Sequence, residues 1–129
     1  MTKIVVSTKA KREVVDITDM VEGVLRETDK ADGVCNVFVM HTTAAITCAD
    51  LDPGTDLDIL DVLEKLMPDM TFRHSHKPEH APDHILGTIV GPSVSIPFED
   101  RNLVLGTWQR VVLLEFDGPR EREIMVSTS

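Results

Sequence analysis

Cysteine is nearly absent from this 129-residue chain. Cys35 and Cys48 are too few for a disulfide framework, and Cys35 lies in an apolar run where a small buried thiol is the natural reading, so both are expected to be reduced. Long hydrophobic runs are also missing. Nothing approaches the roughly 18 apolar residues of a membrane span, and the N-terminal "IVV" is too short for a signal-peptide core. A soluble, cytoplasmic protein with no membrane partner is the expectation. Positive charge is scarce: 13 Lys and Arg stand against 22 Asp and Glu, a formal charge of -9. That balance argues against nucleic acid as a partner, because such binding draws on Lys and Arg to neutralise phosphates. The sequence lacks the phosphate-cradling GxxxxGK, the dinucleotide GxGxxG, the GxSxG nucleophile elbow and the HExxH metal signature. No repeat or Gly/Ser linker divides it, so one domain over residues 1–129 is expected.

What is present is organised in three parts. "REVVDI" (12–17) reads as a strand, with Thr18 as N-cap of a short helix that follows. "VCNVFVMH" (34–41) is β-branched and apolar on both faces except at Asn36 and His41, which puts His41 on one strand face with Cys35, Val37 and Val39. "DPGTDLDILDVLEKLMP" carries helix start and stop signals: a Pro-Gly turn, Thr55 as N-cap, early acids, a late Lys65 and Pro68 as terminator. Its two apolar series, Leu57, Leu60, Leu63, Met67 and Ile59, Val62, Leu66, imply a helix buried over much of its surface. A polar stretch to Asp83 follows, then a short helix over "DHILGTIVG" with Pro82 in its first turn. The last third alternates short β-branched runs with turns, the pattern of an antiparallel meander. Strands at both ends and helices between them predict an α+β fold.

Three constellations carry chemical groups. His41 closes an apolar strand with Thr42 and Thr43 beside it; it is either a hydrogen-bonded core histidine or part of a site, because an unpaired buried imidazole costs about 1–3 kcal/mol. His74, His76, His80 and His84 fall within eleven residues, at spacings that match no metal motif. They suit either a solvated loop or a zinc-type site. "LGTWQR" (105–110) places Gly106, Thr107, Trp108 and Gln109 within an expected strand, where the glycine marks a bulge or a close approach to a ligand. Asp50, Asp52 and Glu79 are acid or base candidates in loops, and Arg73, Lys77 and Arg110 are the cations nearest these segments. Lys9, Lys11 and Arg12, like Arg120 and Arg122, read as solvated segment ends.

Taken together, "HTTAAIT", the 52–68 helix segment, "FRH" and the run from "PDHILG" through "LGTWQRVVLLEFDGPRERE" strongly resemble the YjbQ family, whose members are often described as secondary thiamine-phosphate synthases. The likeness covers about residues 12 to 126. It implies a sandwich-like α+β subunit, a homotrimer with clefts near the subunit boundaries, and a polar pocket holding His41, His74 and His84. Three imidazoles suit a divalent metal, probable identity Zn²⁺, with an open position for water or substrate. Catalytic roles then fall to His41, Thr42, Thr43, Asp50 and Gln109, and substrate contacts to Arg73, Gly106, Thr107 and Trp108. The implied activity is thiamine-phosphate synthesis or metal-assisted hydrolysis of a phosphorylated metabolite; the alternative is a non-catalytic trimer that binds a small ligand or metal. The chain departs from the family at Phe72, where Tyr is common, at Glu79-His80, where a Gly-Asn pair is common, and at Asp100-Arg101-Asn102, where Asn102 is expected to take the left-handed conformation of the family's glycine.

Overall fold

A computed structural model describes residues 1–74 and 76–129. The strands are β1 (Thr2–Ser7), β2 (Glu13–Asp16), β3 (Gly33–Val39), β4 (Ala44–Ala49), β5 (Ser93–Glu99), β6 (Asn102–Leu103), β7 (Arg110–Glu115) and β8 (Glu121–Thr128). The helices are α1 (Thr18–Arg26), α2 (Thr55–Leu66) and α3 (Ala81–Val90), the last preceded by a 3₁₀ turn at Pro78–His80. The fold is α+β in two antiparallel sheets, ordered β1-β8-β3-β5-β6 and β2-β7-β4. No described helix is long and apolar enough to cross a membrane.

The smaller sheet is the middle of three layers. One of its faces packs Ala44, Ile46, Val111 and Leu113 against Cys35, Val37, Ile96 and Ile124 of the larger sheet. Its other face packs Ala45, Val112 and Leu114 under Leu86 of α3 and Ile59 and Leu63 of α2. Every residue of β7 after Arg110 is therefore buried, which explains why "VVLLE" shows no alternation.

The larger sheet has cover on one face only. In β3, Cys35, Val37 and Val39 point inward, while Val34 and Phe38 are 39% and 45% exposed on the outer face. The expectation that 34–41 is an apolar strand covered on both sides therefore fails, and the strand covered twice is β7. α2 is corrected likewise: only Leu60 is buried, and Leu57, Val62 and Leu66 face outward, because the helix meets the middle sheet along one side.

The C-terminal strands do not form a meander. β5 and β6 make a hairpin, β7 crosses to the middle layer, where its doubly apolar sequence is covered twice, and β8 returns between β1 and β3. Two strands, β1 and β4, were not legible as strands in the sequence.

Local details also differ. Thr18 is the first helical residue of α1, and it is the Asp16 carboxylate that accepts its N–H at 3.0 Å. Gly54, with φ 93°, precedes α2, so Thr55 makes no side-chain cap. In the β5–β6 turn the left-handed residues are Asp100 and Arg101, not Asn102, as a two-residue hairpin turn requires φ > 0 at both central positions.

Candidate functional site

β3 ends at Val39, but its pairing with β8 continues by other means. Met40 donates its N–H to the Glu123 carbonyl at 3.1 Å, and Glu123 donates its own N–H to Nε2 of His41 at 2.9 Å. The imidazole thus stands where a strand carbonyl would be. His41 lies past the strand end, half-buried, not on the Cys35–Val37–Val39 face.

Thr43 is fixed from inside the protein. Arg122, 1% exposed, donates to both the Thr43 carbonyl (3.0 Å) and its hydroxyl oxygen (2.8 Å), and grips Glu115, which is fully buried, with Nε at 2.9 and 3.1 Å and with Nη2. Thr8 donates its hydroxyl to Glu115 at 2.7 Å and Asp117 donates its N–H at 3.1 Å. Burial pushes the Glu115 carboxyl up, but these hydrogen bonds and the guanidinium outweigh it and hold the group below its ordinary range. Reading Arg120 and Arg122 as solvated ends is therefore wrong for Arg122: a strand that alternates in and out buries every second residue, whatever its charge.

Gly87 of α3 sits against this segment so closely that a Cβ there would fall 2.5 Å from the Thr42 carbonyl oxygen. The contact brings His84, three residues earlier on α3, to the mouth of the same cavity. His74 stacks on His84 with ring centroids 4.7 Å apart and planes 27° apart. The cavity has a volume of about 610 Å³ and is lined by His41, Thr42, Thr43, His84, Asp117, Arg120 and Arg122 together with the apolar side chains of Phe38 and Met40. Arg120 donates to the Asp117 carbonyl and carboxylate at 2.9 Å each, which orients its guanidinium along the wall.

The residues that the sequence gathered into one site lie in separate places. Asp50, Thr107 and Trp108 line a separate cleft of about 240 Å³ with Asp16, Asp52 and Arg110. There Arg110 is paired with Asp16 at 2.7 Å, and Trp108 is 70% exposed. Gly106 and Gln109 are in a turn, not a strand: Gln109 donates its N–H to Gly106 at 3.0 Å, and its side-chain oxygen accepts the Gly106 N–H at 2.8 Å. Arg73 is exposed and lines neither space. Asp117, Arg120 and Arg122 are the site residues sequence reasoning passed over; the "DGPR" turn and the alternation of β8 were the available signals.

The ring chemistry bears on the metal expectation. A neutral imidazole has one lone pair, and that of His41 Nε2 accepts the Glu123 N–H, so Nδ1 carries the proton. Burial, followed by the Arg122 charge, lowers the His41 pKa and favours this neutral form. Metal-bound imidazoles show the opposite polarity, ligating with one nitrogen and donating from the other. His74 and His84 stack ring on ring, and among the described residues they do not fall with His41 in a group whose ligand atoms lie within 4.8 Å of one another. In this arrangement the three imidazoles do not fit a shared metal ion. Among the described residues, the group with ligand atoms within 4.8 Å is His80, Asp83 and Asp117. Its cation is already present: Lys11 Nζ lies 2.9 Å from Asp83 and 3.4 Å from Asp117.

A sandwich of two antiparallel sheets backed by two helices, with one cavity lined by imidazole, hydroxyl and guanidinium groups, is the type of domain this chain builds. The chain belongs to the UPF0047 protein YjbQ-like family, whose sequence profile matches residues 2–129. It is 43% identical over 119 residues to a UPF0047 protein of Archaeoglobus fulgidus, covering 91% of this chain and 92% of that one. It is 42% identical over 115 residues to a UPF0047 protein of Mycobacterium tuberculosis, covering 86% and 85%. Among solved structures, a YbjQ-like protein of Sulfolobus solfataricus superposes with TM-score 0.90 at 38% identity over 97% of this chain and 92% of that one. A YjbQ/UPF0047 protein of Clostridium acetobutylicum does so with TM-score 0.91 at 35% identity over the full length of both.

Proposed function

We propose that the cavity beside His41 binds a small phosphorylated metabolite and serves its transformation by stabilising a phosphate or pyrophosphate group. The observation that carries this is that the Glu123 N–H occupies His41 Nε2, leaving the proton on Nδ1, and that His41 and Arg120 line the same cavity. Both are donors without acceptor capacity, as an anion requires. Thr42, an exposed residue of the same lining, adds a hydroxyl, and Phe38 and Met40 offer apolar surface to the rest of the ligand. Because the His41 lone pair is engaged, His41 acts as a hydrogen-bond donor and His84 is left as the acid or base.

Within this class we propose thiamine-phosphate synthesis, in which a pyrimidine diphosphate joins a thiazole phosphate and pyrophosphate departs. Donors preset at the leaving oxygens are what such a step asks for. Hydrolysis of a phosphorylated metabolite is served by the same groups. Titration calorimetry with inorganic pyrophosphate tests the binding: His41→Ala and Arg120→Ala are each expected to weaken it at least about tenfold, the loss of one hydrogen bond to a charged group. Unchanged affinity in both removes this reading. Product formation from the two thiamine precursors, with and without added Zn²⁺ or Mg²⁺, separates the enzyme from a carrier; turnover no higher than the buffer blank under every metal leaves a binding protein.

The assembly we propose is a homotrimer in the cytoplasm that buries the outer face of the five-stranded sheet. Val5, Val34, Phe38 and Met40 are all exposed there, and Phe38 and Met40 also line the cavity, so a neighbouring copy on this face would narrow its mouth.

A further inference from the structure

The apolar residues that α2 turns away from the core gather at a second place, remote from the histidine cavity. A groove of about 460 Å³ runs between α2 and the middle sheet, floored by Ala49 and Leu114 and walled by Ile59, Val62, Leu63 and Val90. Val62 is 57% exposed, and Leu66, one turn further along the helix, is 62% exposed. The packing of a single chain leaves these two side chains largely in solvent, where apolar surface gains by being covered. The charge on α2 is predominantly negative. α2 carries Asp56, Asp58, Asp61 and Glu64 against Lys65 alone, and Asp58 lines the groove itself.

We propose that this groove is a docking site for an amphipathic helix of a partner protein whose apolar stripe is flanked by Lys or Arg. The charge decides among occupants. A second copy placed symmetrically on this face would bring the acids of one α2 against those of the other, and an anionic lipid surface would meet the same repulsion. A basic helix satisfies both features: side chains at i, i+3 and i+7 enter the groove, and its cations meet Asp58 in the groove wall and the net negative charge of α2. The site is independent of the cavity, since none of its lining residues is shared.

Fluorescence anisotropy of the full-length protein with a labelled 16-residue helical peptide, Leu on one face and Lys on its flanks, tests the proposal, using a matched peptide with Glu for Lys as control. The Lys peptide is expected to bind at least tenfold more tightly than the Glu peptide, to weaken as salt is raised, and to lose at least tenfold in affinity with Val62→Asp or Leu66→Asp. These solvent-facing changes are expected to leave the melting temperature, the sedimentation coefficient and pyrophosphate binding unchanged. Equal binding of both peptides, or equal binding to wild type and both variants, overturns the proposal. So does a fall in oligomeric state with Val62→Asp, which assigns the groove to a second copy. Co-sedimentation with phosphatidylserine vesicles that Val62→Asp abolishes assigns it to a membrane instead and likewise overturns it.

Discussion

His41 and Glu123, 82 residues apart in the chain, are joined by a 2.9 Å hydrogen bond from the Glu123 main-chain N–H to the imidazole Nε2. The bond turns a side chain into the last rung of the β3–β8 ladder and fixes which nitrogen carries the proton. Its consequence is chemical: the other ring nitrogen of His41, Nδ1, is a donor.

Stability should therefore fall as the solution is acidified, in two stages. His41 has a folded-state pKa below its ordinary 6.5, so the unfolded chain takes up this proton first. Its contribution is complete above 6.5 and declines as pH drops through the folded-state value. Glu115, held below 4.5, contributes fully above that pH and is lost as pH falls through its own lower value. Urea midpoints measured from about pH 7 to pH 3 should decrease in the acid direction, and His41→Gln should flatten the upper stage alone. An upper stage that persists in His41→Gln would contradict the assignment.

The Arg122–Glu115 pair should be costly to break from either side. Both residues are buried, so Arg122→Met leaves a carboxylate without its counter-charge and Glu115→Leu leaves a guanidinium in the same position. Each is expected to cost about 3–5 kcal/mol in chemical unfolding, and the double replacement less than the sum of the two. Strict additivity would mean that the two charges do not depend on each other.

Gly87→Ala is a backbone test of the site. The added methyl would sit 2.5 Å from the Thr42 carbonyl oxygen, and both sides of that contact are main chain, so α3 must retreat from the HTT segment. A loss of about 1–3 kcal/mol is expected, with weaker pyrophosphate binding as His84 moves off the cavity. An unchanged melting temperature would show the contact to be looser than the geometry indicates.

Phe38→Asp should dissociate the proposed trimer. Phe38 is 45% exposed on the outer sheet face between Met125 of β8 and Ser93 of β5, where a charge is harmless to the monomer and intolerable in an apolar interface. Sedimentation velocity is expected to show monomers with native far-UV dichroism; a trimer that persists places the contact elsewhere.

Much of the local structure was legible because it depends on neighbours in the chain. Pro82 and Gly91 bound α3 as expected, since proline fits the first helical turn and Gly91, at φ 100°, ends the helix. The Gly118-Pro119 turn was equally plain. Strand β4 was not, because "AAITCA" has modest β propensity and becomes a strand through pairing with β7 on one edge. Nor could periodicity separate β3 from β7: both are apolar runs, and only the layering decides which is covered twice.

By itself, then, the sequence determined the α+β class, the helix ends, the family and the pairing of His41 with Thr42 and Thr43 as a group, because motifs and short-range sterics are written into adjacent residues. Tertiary structure alone decided that Asp50 and Trp108 sit in another cleft from His41, that Arg122 is an internal strut, and that His41 is a donor. Each of these depends on which distant backbone a side chain meets, and that is set by sheet register and layer packing, not by spacing along the chain.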